Sequence, residues 1–205
     1  MNVTRRTLLS RASLAAAGVI AAPTILRWPA NAAEFAYKFG SALPDGHPMV
    51  IRTKEAADKI KQESNGRFEI TVYPSSVLGQ DTAMMSQCIA GALEMYNLSL
   101  DILAQKSPSA AIFGTGFAFP DYATAWKAMD GDLGNFCRGL SEKVGLYCLD
   151  KAYDHGFREI TMKAKPINTP EDLKGVKIRL PVAPLFIKLF QALGASPTPR
   201  SEGVV

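Results

Sequence analysis

Strand patterns and helix patterns alternate along this chain from residue 34 onward. Alternating polar and apolar residues predict strands, and apolar residues at helical spacing predict amphipathic helices. The predicted strands span residues 34–43, 67–73, 93–98, 145–150, 156–163 and 176–180, and the predicted helices span 47–64, 80–92, 121–129, 132–144 and 184–193. Such alternation favours βαβ units with a mostly parallel sheet, so the sequence predicts an α/β fold.

The first 33 residues carry the pattern of an export signal. Arg5 and Arg6 precede an apolar, alanine-rich run at 14–25, and the sequence ANA at 30–32 places small residues where a signal peptidase cuts. The run is short for a membrane span, which needs about 20 residues, although an uncleaved anchor is the alternative. We therefore expect export to the periplasm through a twin-arginine signal.

The charge balance changes once this leader is set aside. The chain has 23 basic and 19 acidic residues, for a formal charge of +4. The first 33 residues contain four arginines and no acidic residue, and these arginines account for the whole excess. Residues 34–205 are therefore neutral overall, which argues against a nucleic-acid partner.

Cysteine and histidine are sparse. Cys88, Cys137 and Cys148 leave at least one free thiol. A Cys137–Cys148 disulfide is an alternative, but buried free thiols are favoured. With two histidines and no Cys-x-x-Cys pair, the sequence supports no metal site. The nucleophile elbow, the P-loop and the dinucleotide-binding glycine motif are also absent, so no catalytic residue and no cofactor are predicted.

Residues 162–181 are predicted to form a strand, one helical turn and a second strand. Thr169 suits the N-cap of the turn, Pro170 its first position and Gly175 its end. The apolar residues of the second strand share one face, and Arg179 lies on the other. Arg179 comes at a strand end, where ligands of open α/β sheets bind, and a guanidinium suits a carboxylate. A solvated or salt-bridged arginine is the alternative.

Further candidates lie near other element ends. Arg158 begins a predicted strand after a candidate hinge at 153–156. If the strands of Arg158 and Arg179 are neighbours, two guanidiniums face one cleft and suit an anionic ligand. His47 and Asp81 lie at helix starts, where capping is the alternative to ligand binding.

Five segments match one family in their order and spacing. They are KFGSALPDGHP (38–48), NGRFEITVYPSSVLG (65–79), GFREIT (156–161), PINTPEDLKGVKIRLP (166–181) and ALGASPTP (192–199). Together they resemble the extracytoplasmic solute receptors of tripartite ATP-independent periplasmic (TRAP) transporters, the DctP-type family. The resemblance implies a periplasmic binding protein-like fold of class II type, with two α/β lobes and a hinge. We expect a signal at 1–33, a first lobe at 34–154 and the start of a second lobe at 155–205.

The resemblance also implies a function and a site. Such receptors bind a small organic acid, such as a dicarboxylate or a sugar acid, and deliver it to a permease with small and large membrane subunits. They are not enzymes and use no cofactor. The ligand-binding arginines of the family fall on Arg179 and Arg158, and two polar positions fall near Asp81 and Ser99, with His47 as a weaker addition.

The resemblance stops before the C-terminal part of the family. After the segment that ends at Pro199, the family continues with a helix, a strand and a long further stretch. Here the sequence continues only with RSEGVV (200–205). We therefore expect an incomplete second lobe. The alternatives are an exported α/β enzyme acting on an anionic substrate and a non-functional truncated remnant.

Overall fold

The computed structural model describes residues 33–163 and 166–200. This part of the chain contains the strands β1 (Phe35–Gly40), β2 (Phe68–Tyr73), β3 (Met95–Tyr96), β4 (Lys177–Leu180) and β5 (Ser196–Pro199). Its α-helices are α1 (Pro48–Glu63), α2 (Asp81–Ile89), α3 (Leu100–Leu103), α4 (Tyr122–Met129), α5 (Asp132–Glu142) and α6 (Pro184–Ala192). Two 3₁₀-helices span Pro108–Gly114 and Pro170–Leu173.

The described strands form two parallel sheets. The first has the order β2-β1-β3, with Phe35 opposite Phe68 and, on the other side of β1, Phe39 opposite Met95. The second pairs β4 with β5, starting from Lys177 opposite Ser196. Parallel neighbouring strands must be joined by a crossover connection. The helix α1 lies between β1 and β2 in the chain, and α2 lies between β2 and β3, as the sequence predicted. The predicted α/β class is confirmed.

Local signals explain how α1 begins and ends. His47 has an extended backbone, and its Nδ1 accepts a hydrogen bond from the Met49 amide at 3.2 Å. Pro48 occupies the first helical position, where its missing N–H costs nothing. After the helix, Asn65 and Gly66 have φ values of +53° and +78°, which turn the chain into β2.

The core of the first sheet lies between its strands and α2. Met84 and Met85 of α2 are fully buried, and Leu93, which precedes β3, packs in one cluster with Met84. Gly40, at the end of β1, permits this contact, because an added Cβ there would lie 2.7 Å from the Met84 sulfur. The close packing fixes α2, and therefore Asp81 at its start, beside the carboxyl end of β1.

The strands predicted at 145–150 and 156–163 are wrong. The first strand predicted in 162–181 falls partly on residues 164–165, which lie outside the described part of the chain. The described residues of these segments contain no strand. Neither sheet extends to them, and a strand pattern becomes a strand only where a neighbour pairs with its backbone groups. Some of their apolar side chains are largely exposed instead, with Tyr147 78% and Leu149 67% exposed. The strand predicted at 93–98 is shorter than expected, since only Met95 and Tyr96 pair with β1.

The second sheet forms as predicted around its capped turn. The Asp172 carboxylate accepts a hydrogen bond from the Thr169 amide at 3.0 Å, and Gly175 has a φ of +73°. Lys177 and Arg179 point outward from β4, while Leu180 is buried. The cap, the turn and the strand faces therefore follow from local sequence.

Helix α6 packs on the end of the first 3₁₀-helix and on the residues that follow it. A Cβ added to Gly114 would lie 3.4 Å from the Leu185 Cβ, and one added to Gly116 would lie 2.9 Å from the Leu189 Cδ2. The side-chain amide of Gln105 (Nε2) also donates to the Val182 carbonyl at 2.6 Å. Gly116 therefore allows the closer approach, whereas the distance at Gly114 is an ordinary van der Waals contact.

Two further sequence predictions concern chain chemistry and topology. All three cysteines lie in the described part of the chain and are free thiols, so the alternative Cys137–Cys148 disulfide is absent. Within the described residues, no helix has the length and hydropathy needed to cross a bilayer. The predicted export signal lies outside these residues except for Ala33.

Candidate functional site

A cavity of about 740 Å³ opens at the carboxyl end of the first sheet. The end of β1, the chain that follows β3 and the extended segment 151–158 line it, and α4, α5 and Phe186 of α6 complete its walls. Aromatic side chains from these elements contribute much of its surface. The carboxyl ends of parallel strands are the usual place for ligands in open α/β sheets, so this cavity is the candidate site.

The segment that carries Arg158 is held by three contacts. Gly156, with a φ of +77°, makes a turn in which its amide donates to the Asp154 carboxylate at 2.9 Å. Next, the Phe157 ring stacks on Tyr122 of α4 at 4.4 Å, and its amide donates to the Tyr122 hydroxyl at 3.2 Å. At the other end, Thr53 of α1 donates to the Tyr153 hydroxyl at 3.0 Å. The segment is therefore positioned by side chains and not by a sheet.

Arg158 is the centre of a polar cluster in this cavity. Its Nη2 donates to the Ser99 hydroxyl at 3.3 Å and lies 3.5 Å from Oδ2 of Asp101. The Ser99 hydroxyl in turn donates to Oδ1 of Asp101. On its other side the guanidinium lies 5.3 Å from the centre of the Phe186 ring. These contacts orient a cation that still keeps 39% of its side-chain surface exposed.

Asp101 is a site residue that sequence reasoning missed. Its side chain is 5% exposed and lies in the first turn of the four-residue helix α3. The signal was present, since Asp101 stands between apolar residues in LDIL (100–103), where a charged group needs a partner once buried. Its partner, Arg158, comes from a distant part of the sequence, so the pair could not be recognised locally.

The same cavity contains three more polar side chains. Asp81 is buried at the start of α2, where its carboxylate faces the positive end of the helix dipole. Tyr96 Oη and Asn97 Oδ1 are buried, and neither has a hydrogen-bond partner among the described residues. Burial raises the pKa of Tyr96 well above its ordinary value, so its hydroxyl stays protonated. The cavity thus contains polar atoms that the protein itself leaves unsatisfied.

The structure brings together three of the five predicted site residues. Arg158, Asp81 and Ser99 line the cavity, whereas His47 and Arg179 are not among its lining residues. His47 caps α1, and its ring lies edge-on to His155, a cavity residue, at 5.4 Å. That all five residues bind ligand stays a prediction.

The condition set for the two arginines, that their strands are neighbours, is not met. Arg158 lies on an extended segment and not on a strand, and the neighbour of β4 is β5, which places Thr198 opposite Arg179. Arg179 is exposed on β4, two positions before Pro181, which does line the cavity. The two guanidiniums therefore do not meet through adjacent strands.

The cavity also contains all three cysteines. Burial raises the pKa of the Cys88 and Cys137 thiols to about 11, and the nearby Glu94 carboxylate adds to the shift at Cys88. Both thiols are therefore protonated near neutral pH and are poor nucleophiles. Among the described residues, no group of three or more His, Cys, Asp or Glu side chains is arranged to hold a metal ion.

Comparison with known proteins extends these observations. The family model for bacterial extracellular solute-binding proteins, family 7 (DctP), matches residues 39–205. The 2,3-diketo-L-gulonate-binding periplasmic protein YiaO of Escherichia coli (strain K12) is 32% identical over 162 residues, which cover 79% of this chain and 49% of YiaO.

Two solved structures are similar in fold. A TRAP periplasmic solute-binding protein from Sulfitobacter sp. NAS-14.1, with bound beta-D-galacturonate, has a TM-score of 0.76 and 25% identity, over 81% of this chain and 55% of that protein. Another, from Sulfurospirillum deleyianum DSM 6946 with bound succinate, has a TM-score of 0.76 and 27% identity, over 82% and 54% of the two chains.

The chain spans about half the length of these relatives. The family match nevertheless covers most of the sequence, and it includes the segments that surround the cavity. The resemblance found in the sequence motifs is therefore confirmed. The chain belongs to the DctP family, the bacterial extracellular solute-binding proteins of family 7.

Proposed function

We propose that the cavity binds a small organic acid and that Arg158 holds the carboxylate of this ligand. The observation that carries the proposal is an oriented guanidinium in a cavity at the carboxyl end of a parallel sheet. A guanidinium offers a planar fork of donors to a carboxylate, and each charge-assisted bond contributes about 1.5–3 kcal/mol. Galacturonate and succinate, bound by two structural relatives, are acids of this kind.

The biological role we propose is that of an extracytoplasmic receptor of a TRAP transporter. The protein would be exported through its twin-arginine signal. Its first lobe, 34–154, and the start of its second lobe, 155–205, would close over the ligand as the two lobes of a full-length receptor do. The loaded receptor would then deliver the acid to a permease with small and large membrane subunits. Membership of the DctP family supports this role.

We also propose that the protein binds its acid without converting it. An enzyme with a cysteine nucleophile needs a thiolate, and the raised pKa values of Cys88 and Cys137 keep these thiols protonated. The relatives described above are solute-binding proteins. Incubation with each acid, followed by chromatography of the ligand, should return it unchanged.

The proposal is tested by calorimetric titration of the purified chain with D-galacturonate, D-glucuronate and succinate. We expect saturable binding of at least one acid, and a matching rise in the melting temperature. Arg158→Ala should weaken binding by about 2–5 kcal/mol, because it removes the charged partner of a carboxylate. Arg52→Ala is the matched control, since Arg52 pairs with Glu55 on the exposed surface of α1. Unchanged affinity in Arg158→Ala would reject the anchor, and no binding of any acid would reject the function.

We also propose that Arg179 contacts the ligand, at the rim of the cavity near Pro181. Because Arg179 is exposed, water screens its charge, and Arg179→Ala should cost at most about 1 kcal/mol of binding. A loss as large as that of Arg158→Ala would make Arg179 an equal anchor, and an unchanged affinity would remove it from the site.

A further inference from the structure

The cavity is unusual for an acid-binding site because carboxylates outnumber cations on its walls. The carboxylates that line it are Asp81, Glu94, Asp101 and Asp154, and the cations are Arg138, Lys151 and Arg158. Two of the carboxylates, Asp81 and Asp101, are buried. A negatively charged ligand therefore meets four carboxylates and three cations on these walls, although Glu94 also lies 3.9 Å from Lys38.

The other two cations already have partners. Lys151 Nζ lies 2.8 Å from the Asp130 carboxylate. Arg138 donates to the Asn135 side chain at 2.7 Å and to the Asp150 carbonyl at 3.1 Å. Arg158 itself shares its charge with Asp101. One ligand carboxylate can join Arg158, but a second carboxylate would have to displace an existing partner of Lys151 or Arg138.

The polar atoms of the cavity that lack a hydrogen-bond partner indicate which ligand groups fit beside Arg158. Asn97 Oδ1 and Asp101 Oδ2 are buried acceptors without a hydrogen-bond partner among the described residues, and Asp101 Oδ2 lies 3.5 Å from Arg158 Nη2. Tyr96 Oη also lacks such a partner, but as a protonated hydroxyl it can donate as well as accept. Acceptors need donors, and a ligand hydroxyl supplies one whereas an ionised carboxylate does not. Both Asn97 and Asp101 line the cavity, so these acceptors lie beside the space open to a ligand.

We propose that the cavity selects acids with one negative charge and several hydroxyl groups, such as hexuronates, over dicarboxylates, and that Asp101 sets this preference. The inference rests on the proposed function, because it requires that an acid binds at Arg158. Asp101 acts in two ways: its charge repels a second ligand carboxylate, and its Oδ2 accepts from a ligand hydroxyl. Its contact with Arg158 limits that guanidinium to a single carboxylate.

The test uses four probes that separate charge from hydroxyl content. D-Glucuronate has one charge and several hydroxyls, D-glucarate has two charges and hydroxyls, monomethyl succinate has one charge and no hydroxyl, and succinate has two charges and no hydroxyl. Calorimetric titration of the wild-type chain should give the highest affinity for glucuronate and the lowest for succinate. The affinity for glucuronate should also exceed the affinity for glucarate by about tenfold, as expected for one unfavourable charge contact.

Asp101→Asn tests the residue itself. The substitution keeps the shape and the oxygen that accepts from Ser99, and it removes the charge. The ratio of glucuronate to glucarate affinity should fall by about tenfold, whereas a purely structural defect would weaken both ligands alike. Asp58→Asn, on the exposed face of α1, is the control and should leave the ratio unchanged.

The outcomes separate this inference from the proposed function. If the wild-type chain binds acids but holds dicarboxylates as tightly as uronates, the selectivity is refuted and the function stands. An unchanged affinity ratio in Asp101→Asn would refute the role of Asp101. If none of the four probes binds, the proposed function fails and the inference fails with it. The wild-type comparison alone decides the selectivity, even if Asp101→Asn does not fold.

Discussion

Arg158→Ala removes the guanidinium that faces the buried carboxylate of Asp101. At their separation of 3.5 Å, two unit charges attract each other by about 5 kcal/mol at an effective dielectric constant of about 20. Water screens part of this attraction, because the Arg158 side chain is 39% exposed. Asp101, which is 5% exposed, would nevertheless keep a charge without its partner. Since orphaning a fully buried charge costs about 3–5 kcal/mol, we expect a loss of about 1–3 kcal/mol in unfolding free energy here.

A double-mutant cycle separates the orphaned charge from lost packing. Asp101→Asn alone should cost about 0.5–1.5 kcal/mol, since Asn keeps the shape and the contact with Ser99. Added to Arg158→Ala, the same change should restore about 1–2 kcal/mol, because it removes the charge that Arg158 compensated. The cycle therefore isolates the pair without any knowledge of the ligand.

Urea unfolding followed by far-UV circular dichroism measures these differences as shifts of the midpoint at constant slope. Arg52→Ala is the control, because Arg52 and Glu55 form an exposed pair with side chains 73% and 54% accessible. Its loss should cost at most about 0.5 kcal/mol. An Arg158→Ala chain as stable as wild type, or a double mutant less stable than Arg158→Ala, would refute the reasoning.

Two further predictions concern packing and pH. In α5, Gly134→Ala would place a Cβ 1.7 Å from the Met129 carbonyl oxygen and should lower stability by about 1–3 kcal/mol; Gly139→Ala in the same helix meets no atom within 4 Å and should raise it by about 0.5–1 kcal/mol. Equal effects on the urea midpoint would contradict this contrast. The second prediction is a loss of stability between pH 9 and 11, because the folded pKa values of Cys88 and Cys137, about 11, exceed the ordinary value of 9.0. The folded state holds these protons more tightly, so their contribution is complete below pH 9 and disappears as the pH rises through 11. A Cys88→Ala/Cys137→Ala chain should lose less stability over this range, and an identical pH profile would count against the assignment.

The elements that the sequence predicted well are those that depend on neighbouring residues. His47 caps α1 with Pro48 behind it, and Thr169 and Asp172 cap the turn before β4. Strand β2 forms where it was predicted, and the apolar face of β4 also appears as predicted. In each case the physical cause lies within a few residues of its effect, so a single sequence is enough to identify it.

The errors concern features that depend on distant partners. Residues 145–150 and 156–163 have strand patterns, yet no strand of the described chain pairs with them. The apolar surroundings of Asp101 in the sequence indicate that it needs a partner, but they do not identify Arg158, which lies 3.5 Å away in the structure. Neither the missing neighbour nor the ion pair leaves a local signature.

The sequence by itself determined the α/β class, most helix starts and ends, and the family to which the chain belongs. Periodicity, capping residues and motif spacing depend only on the order of residues along the chain. The tertiary structure alone decided which charged groups share a cavity. Ser99 and Arg158 are 59 positions apart, and they meet because Tyr122 and Thr53 hold the extended segment against the end of the first sheet. Which residues become site residues is set by such long-range packing, since burial and charge pairing act through space and not along the chain.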